Sequence, residues 1–148
     1  RSDGIYDTTD GALIAQGVEM GAHTVNHRVL THEPLATVDE EIRVSKAQIE
    51  SEIDRKVEHF AYCNGWYSEE VIATLIRHGF RSAVTTEDLP NRIGGDPYTL
   101  KRKVLWENFS VGMLGNYSSA LTSCHLDDVF GTLGLTRPVV GRRQQVLA

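Results

Sequence analysis

Apolar positions along the chain switch between short continuous runs and a helical spacing, and that switch marks out the predicted elements. Asp10 to Gln16 reads as the end of a helix that stops at Gly17. Val18 to Thr24 has the short buried pattern of a strand. Val25 to Ala36, which carries His27, His32 and Pro34, reads as a loop or short helical turn. Thr37-Val38-Asp39-Glu40 matches a capping box, with Thr37 as N-cap and Glu40 reaching back. The helix it opens is expected to run to about Ile53, with Val38, Ile42, Ile49 and Ile53 on one stripe and Glu40, Glu41, Glu50 and Glu52 on a solvated face. Val57 to Tyr62 is a second strand and Cys63 to Tyr67 a loop at its end. Ser68 caps a second helix, with Glu69 and Glu70 in the first turn, where negative charge suits the helix dipole. Val71, Ile72, Leu75 and Ile76 form its apolar face and Gly79 its stop. Phe80 to Thr86 is a third strand, Glu87 to Pro97 a polar loop and Tyr98 to Trp106 an extended edge segment. Ser118 to Phe130 has a weaker helical spacing, and residues 136–148 read as a tail.

Strand, helix, strand, helix, strand in that order predicts parallel strands with helical crossovers, an α/β layout. In such folds functional groups collect at the C-terminal ends of the strands. Two chemically distinctive loops fall on that predicted edge. One is His23-Thr24-Val25-Asn26-His27, whose imidazoles are four residues apart and can share one metal ion. The plainer reading of such a pair is a solvated helical face. The other is Cys63-Asn64-Gly65-Trp66-Tyr67, where Trp66 and Tyr67 either stack on a sugar ring or simply pack the loop. His32 and His59 read as surface residues, and His78 as a cation at a helix C-terminus.

Composition narrows the classes. The 148 residues suit one ordinary domain, and an apolar content of 41% is enough for a core. A net charge of -5 without a basic stripe argues against a nucleic-acid partner. No apolar run approaches the roughly 18 residues of a membrane span. Cys63 and Cys124 are too few for a disulfide framework, and their pairing and redox compartment stay open.

With these residues in view, the chain resembles the polysaccharide deacetylases (NodB-homology, carbohydrate esterase family 4). Gly17-Val18-Glu19-Met20-Gly21-Ala22-His23-Thr24-Val25-Asn26-His27 is similar to that family's second motif, G-x-E-I-G-x-H-[ST]-x-x-H. Phe60-Ala61-Tyr62-Cys63-Asn64-Gly65 is similar to the third, R-x-P-Y-G in most members and F-A-Y-P-N-G in a subgroup. Gly79-Phe80 and Ala83-Val84-Thr85-Thr86 follow in the family's order, so the resemblance covers roughly residues 10 to 105.

The resemblance implies an α/β fold that is part of a distorted (β/α) barrel, and a metal-dependent hydrolase that removes acetyl groups from N- or O-acetylated polysaccharide. It implies that His23 and His27 hold a divalent metal, usually zinc, which would activate a water and polarise the carbonyl. Thr24 would orient their loop, and the backbone N–H of Asn64 would help hold the oxyanion. His125, in Leu121-Thr122-Ser123-Cys124-His125, is the one downstream candidate for a general acid. By analogy with relatives, the setting is the cell envelope, the periplasm or the outside of the cell.

The chain departs from the pattern at several positions. The T-F-D-D-G motif that supplies a third ligand and the catalytic base lies far upstream of the histidines in relatives. Here Asp7-Thr8-Thr9-Asp10-Gly11 is only a superficial match, too close to His23. The expectation is therefore a partial domain over residues 1–135, lacking the barrel's first strands, followed by the tail. Ala61 stands in the arginine's place and Cys63 in the proline's. Cys63 is a possible zinc ligand, although a small half-buried thiol is the simpler reading. Glu87 and Asp88 sit near an acidic motif of some relatives but match it poorly. The alternative function is a non-catalytic carbohydrate-binding relative, or an inactive fragment, that lost the catalytic carboxylates. The polymer, the acetyl group removed and the metal are not legible in these residues.

Overall fold

In the computed structural model of the chain, the described residues are 13–103, 116–127, 129 and 133. Three short strands, β1 (Gly21–Ala22), β2 (His59–Ala61) and β3 (Ser82–Val84), form one parallel sheet in the order β1-β2-β3. Helix α1 (Leu35–Ile53) joins β1 to β2, and α2 (Glu69–Arg77) joins β2 to β3. A third helix, α3 (Ser119–Leu126), comes later in the chain. This is the α/β layout that the alternating pattern predicts.

The register explains the core. Ala22 is level with Phe60, and Phe60 with Ala83, so one buried row crosses all three strands. Phe60 meets Tyr62 and Phe80 edge-on, with centroids 5.7 and 5.5 Å apart. Val38 and Ile42 of α1 and Val71 and Leu75 of α2 are buried in the same cluster, with Ile49 and Ile53 partly buried against it. Burying each such aliphatic side chain contributes roughly 1.5–3 kcal/mol. The two helices are also joined through Asp39, which accepts from Arg77 at 2.6 Å and pairs with His78 at 2.7 Å. His78 therefore sits at the C-terminal end of α2, as its position suggests, against a carboxylate from α1.

Several boundaries differ from expectation. The first strand is shorter than Val18 to Thr24, and Val18 is exposed. Its N–H bonds Leu13 O at 3.1 Å, so it closes the end of the preceding helical turn and is lost to the sheet. The capping box at Thr37 does not form. The helix starts at Leu35, and Pro34 takes the cap position with its carbonyl accepting from Val38 N at 3.0 Å, which leaves Thr37 inside the first turn. Ser68 does cap α2, its hydroxyl accepting from Val71 N at 3.4 Å. On α2, Thr74 is buried and Ile76 is exposed, because the core lies on the Val71–Leu75 side. Tyr98 falls in a 3-10 turn, Pro97–Thr99, and the edge contact begins only at Leu100, which bridges Val84 in parallel. Glu87 and Asp88 pair with Lys101 and Lys103. Residues 104–106, Phe130 and the tail at 136–148 lie outside the described residues, and the 1–135 domain boundary lies there with them.

Beyond β2 the chain turns sharply through Cys63–Gly65. Gly65 has φ +73, and a Cβ there would lie 2.2 Å from Thr86 Oγ1 and 2.5 Å from Thr86 N. Thr86 Oγ1 also donates to Asn64 O at 3.1 Å, which docks this loop on the end of β3. Gly65→Ala is expected to cost more than about 1 kcal/mol, through both backbone strain and the clash. Urea unfolding of the two proteins measures the difference. Equal midpoints would mean that the loop is not held against Thr86.

Candidate metal centre

The C-terminal ends of β1 and β2 stand side by side because their register is fixed two residues earlier, with Gly21 level with His59 and Ala22 with Phe60. The next residue of each strand, His23 and Ala61, must then meet. His23 Nδ1 lies 2.7 Å from Ala61 O. A carbonyl oxygen only accepts, so Nδ1 carries the proton and the lone pair of the neutral ring sits on Nε2. His27 folds back over His23, with ring centroids 4.8 Å apart and near-perpendicular planes. The return needs left-handed backbone at Thr24 (φ 64) and at His27 itself (φ 53). Such a conformation is strained in a β-branched residue such as threonine. The histidine pair therefore lies in a tight loop, where the spacing alone left a solvated helical face open.

The third member of the cluster is Cys63. Its buried sulfur lies 4.0 Å from each ring nitrogen of His23, 3.7 Å from His23 O and 3.4 Å from Thr24 Oγ1. One donor atom from each of His23, His27 and Cys63 lies within 4.8 Å of the others, and among the described residues no carboxylate joins them. Burial pushes the Cys63 thiol above its usual range, against the opposing hydrogen bond from Thr24. Cys63 and Cys124 are both unpaired. Two imidazoles, one with its tautomer set by a backbone carbonyl, and a nearby sulfur are a donor set that suits a zinc-type ion.

What holds the histidine loop is a residue outside the cluster. Glu41, on α1, is buried, not part of a solvated face. Its carboxylate accepts from Val25 N at 2.8 Å, Asn26 N at 2.9 Å and Asn26 Nδ2 at 2.5 Å, and Arg28 Nε stands 3.4 Å away. Burial is the largest single influence and raises the pKa, but the Asn26 and Val25 hydrogen bonds and the Arg28 charge outweigh it, so the carboxyl lies below its ordinary value. Glu50 of the same helix is half-buried and accepts from Val57 N at 2.9 Å. Sequence reasoning missed Glu41, which reads as one more acid on a charged helix. Its place one residue before Ile42 of the buried stripe was the available signal.

The remaining candidates are scattered. Asn64 directly follows Cys63, exposed and in left-handed backbone (φ 57). Trp66 is half-buried, edge-on to His32 at 5.2 Å, and Tyr67 packs against Tyr62 at 5.5 Å and the core. His59 lies between Ser82 Oγ at 2.8 Å and Glu19 at 3.1 Å, away from the cluster. The backbone of His125 belongs to α3, but its side chain, like Asp7 and Asp10, lies outside the described residues.

Comparison with known proteins follows the same stretch of chain. Residues 11–83 match the family model described as polysaccharide deacetylase. Among solved structures, the chain is similar to the deacetylase PplD of Streptococcus pyogenes, determined in complex with acetate, at 22% identity and a TM-score of 0.60. That match covers 63% of this chain and 41% of PplD. It is also similar to a polysaccharide deacetylase from Bacillus cereus, at 22% identity and a TM-score of 0.59, over 68% of this chain and 33% of that one. The chain thus spans about two fifths or less of the length of these structures. No curated protein matches it. The structural likeness is one of fold, a parallel α/β unit that corresponds to part of a NodB-type barrel.

The Glu41 anchor carries a pH signature. The folded-state pKa lies below the unfolded value of about 4.3, so the carboxylate contributes its full stability above that value. The contribution disappears as pH falls from there through the folded pKa. Glu41→Gln is expected to lower stability at neutral pH by about 1–3 kcal/mol, the worth of hydrogen bonds to a charged group. The deficit should shrink once the pH drops below about 4. Thermal melts of both proteins across that range test this, and a deficit that stays constant with pH would exclude the ionised anchor.

Proposed function

Because residues 11–83 match the polysaccharide deacetylase family model, we propose that the chain is the metal-holding portion of a hydrolase that removes acetyl groups from N-acetylated or O-acetylated polysaccharide. The observation that carries this reading is the pairing of His23 with His27 at the strand edge, with His23 Nδ1 committed to Ala61 O and Nε2 left to ligate. His23 and His27 would hold a divalent ion, zinc by preference for imidazole donors. Such an ion supplies Lewis-acid polarisation of a carbonyl and activation of water. The protein's own groups do the rest. Thr24 orients the loop between the ligands. The backbone N–H of Asn64 faces developing negative charge on the acetyl oxygen. Trp66 and Tyr67, both half-buried in the second loop, would stack on a sugar ring through their faces. His125 is the candidate that returns a proton to the leaving amine or hydroxyl, and a carboxylate supplied from outside the described residues takes the proton from water.

A second reading is favoured by Ala61, which leaves the third-motif arginine position without a charged side chain. In that case the loops bind acetylated carbohydrate without cleaving it. No helix among the described residues is long and apolar enough to cross a membrane, which is consistent with either role.

The double substitution His23→Ala with His27→Ala is expected to abolish bound metal and acetate release from acetylated oligosaccharide. Metal analysis and an acetate assay on the intact protein read both. Unchanged acetate release in the variant would remove the hydrolase reading. Oligosaccharide binding without any release from the wild type would favour the binder.

A further inference from the structure

The geometry points to Cys63 as a third protein ligand, so that this chain by itself forms a His-His-Cys metal site. The inference rests on the proposed function only in taking His23 and His27 as ligands. Its substance is the sulfur.

Three observations converge. First, the distances are close to those of a ligated set. Tetrahedral zinc with Zn–N of about 2.0–2.1 Å and Zn–S of about 2.3 Å places N and S roughly 3.5 Å apart. Cys63 Sγ is 4.0 Å from each ring nitrogen of His23, and one donor atom from each of the three residues lies within 4.8 Å of the others. A contraction of about half an ångström to just over one, together with a rotation of the Cys63 side chain towards the Nε2 lone pair, completes the triangle. Second, one strand end orients two of the donors. Ala61 O fixes the His23 ring, and the same segment delivers Cys63 two residues later. Third, the sulfur faces into the histidine loop, with Thr24 Oγ1 placed at 3.4 Å to donate a hydrogen bond to a thiolate. Both loops have independent anchors, Glu41 for one and Thr86 for the other, so approach of the donors does not require the sheet to move.

Ligation replaces the S–H bond with a sulfur–metal bond, and the proton passes to solvent. A soft sulfur beside two imidazoles selects zinc or cobalt over magnesium, calcium or manganese, whose preference is for oxygen. It also provides three ligands without any carboxylate.

Titration of the metal-free protein with Co²⁺ tests the assignment directly. The expected result is a near-ultraviolet sulfur-to-cobalt charge-transfer band that saturates at one equivalent and is displaced by Zn²⁺. The band should persist in Cys124→Ser and be absent in Cys63→Ser. Zinc affinity in Cys63→Ser should fall by more than the roughly 10- to 100-fold that loss of an outer-shell partner costs. Because the wild-type band needs no variant, poor folding of Cys63→Ser would not blur the answer. Cobalt bound with no sulfur band, and equal zinc affinity in Cys63→Ser, would overturn the inference and leave the histidine pair standing. Cobalt binding unaffected by His23→Ala with His27→Ala would overturn both.

Discussion

The hydrogen-bond grip of Glu41 on Val25 and Asn26, with the Arg28 guanidinium beside it, is the interaction on which the site depends. A loop that places Thr24 and His27 in left-handed backbone stores strain that its own residues do not relieve. A carboxylate carried on a helix that is itself packed by Val38 and Ile42 supplies the restraint from outside. Because that carboxylate is buried, it must be satisfied, and the backbone N–H groups of the histidine loop satisfy it. Loop and helix therefore solve each other's problem. The backbone that brings His27 over His23 also pairs the buried charge.

The second constraint is register. Parallel pairing that sets Ala22 level with Phe60 and Phe60 level with Ala83 buries one row of side chains and brings the strand ends to a common edge. His23 then reaches Ala61 O, Cys63 reaches the histidines, and Gly65 settles against Thr86. A slip by one residue would turn Phe60 out of the core and carry Cys63 away from the cluster. The core and the site are thus specified by the same few hydrogen bonds. The chemistry gathers where packing leaves short strands to end in loops.

Much of this arrangement is legible in the amino-acid order. The strand–helix alternation, the Ser68 cap, the reach of α1 to Ile53 and the stripe of Val38, Ile42, Ile49 and Ile53 all follow from local periodicity and turn chemistry. The two loops at the strand ends are visible as clusters of unusual residue types. Boundaries are less legible. Pro34 takes the helix start from Thr37, and Val18 closes a helical turn in place of a strand, because each choice depends on which carbonyl is within reach. Residue identity names the donors available, and three-dimensional proximity selects the partner.

By itself, the sequence determined which residues can ligate, which can pack and in what order the elements run. These are properties of side-chain chemistry and of spacing along one element. Only the tertiary structure decided that Glu41 is an anchor, not a solvated acid, that Tyr67 packs against the core, and that Cys63 stands with His23 and His27. The physical reason is the same in each case. Periodicity reports which face of a helix or strand is apolar, but burial of a polar group and convergence of donors are set by another segment folding over it, and those segments lie 15 to 40 residues away.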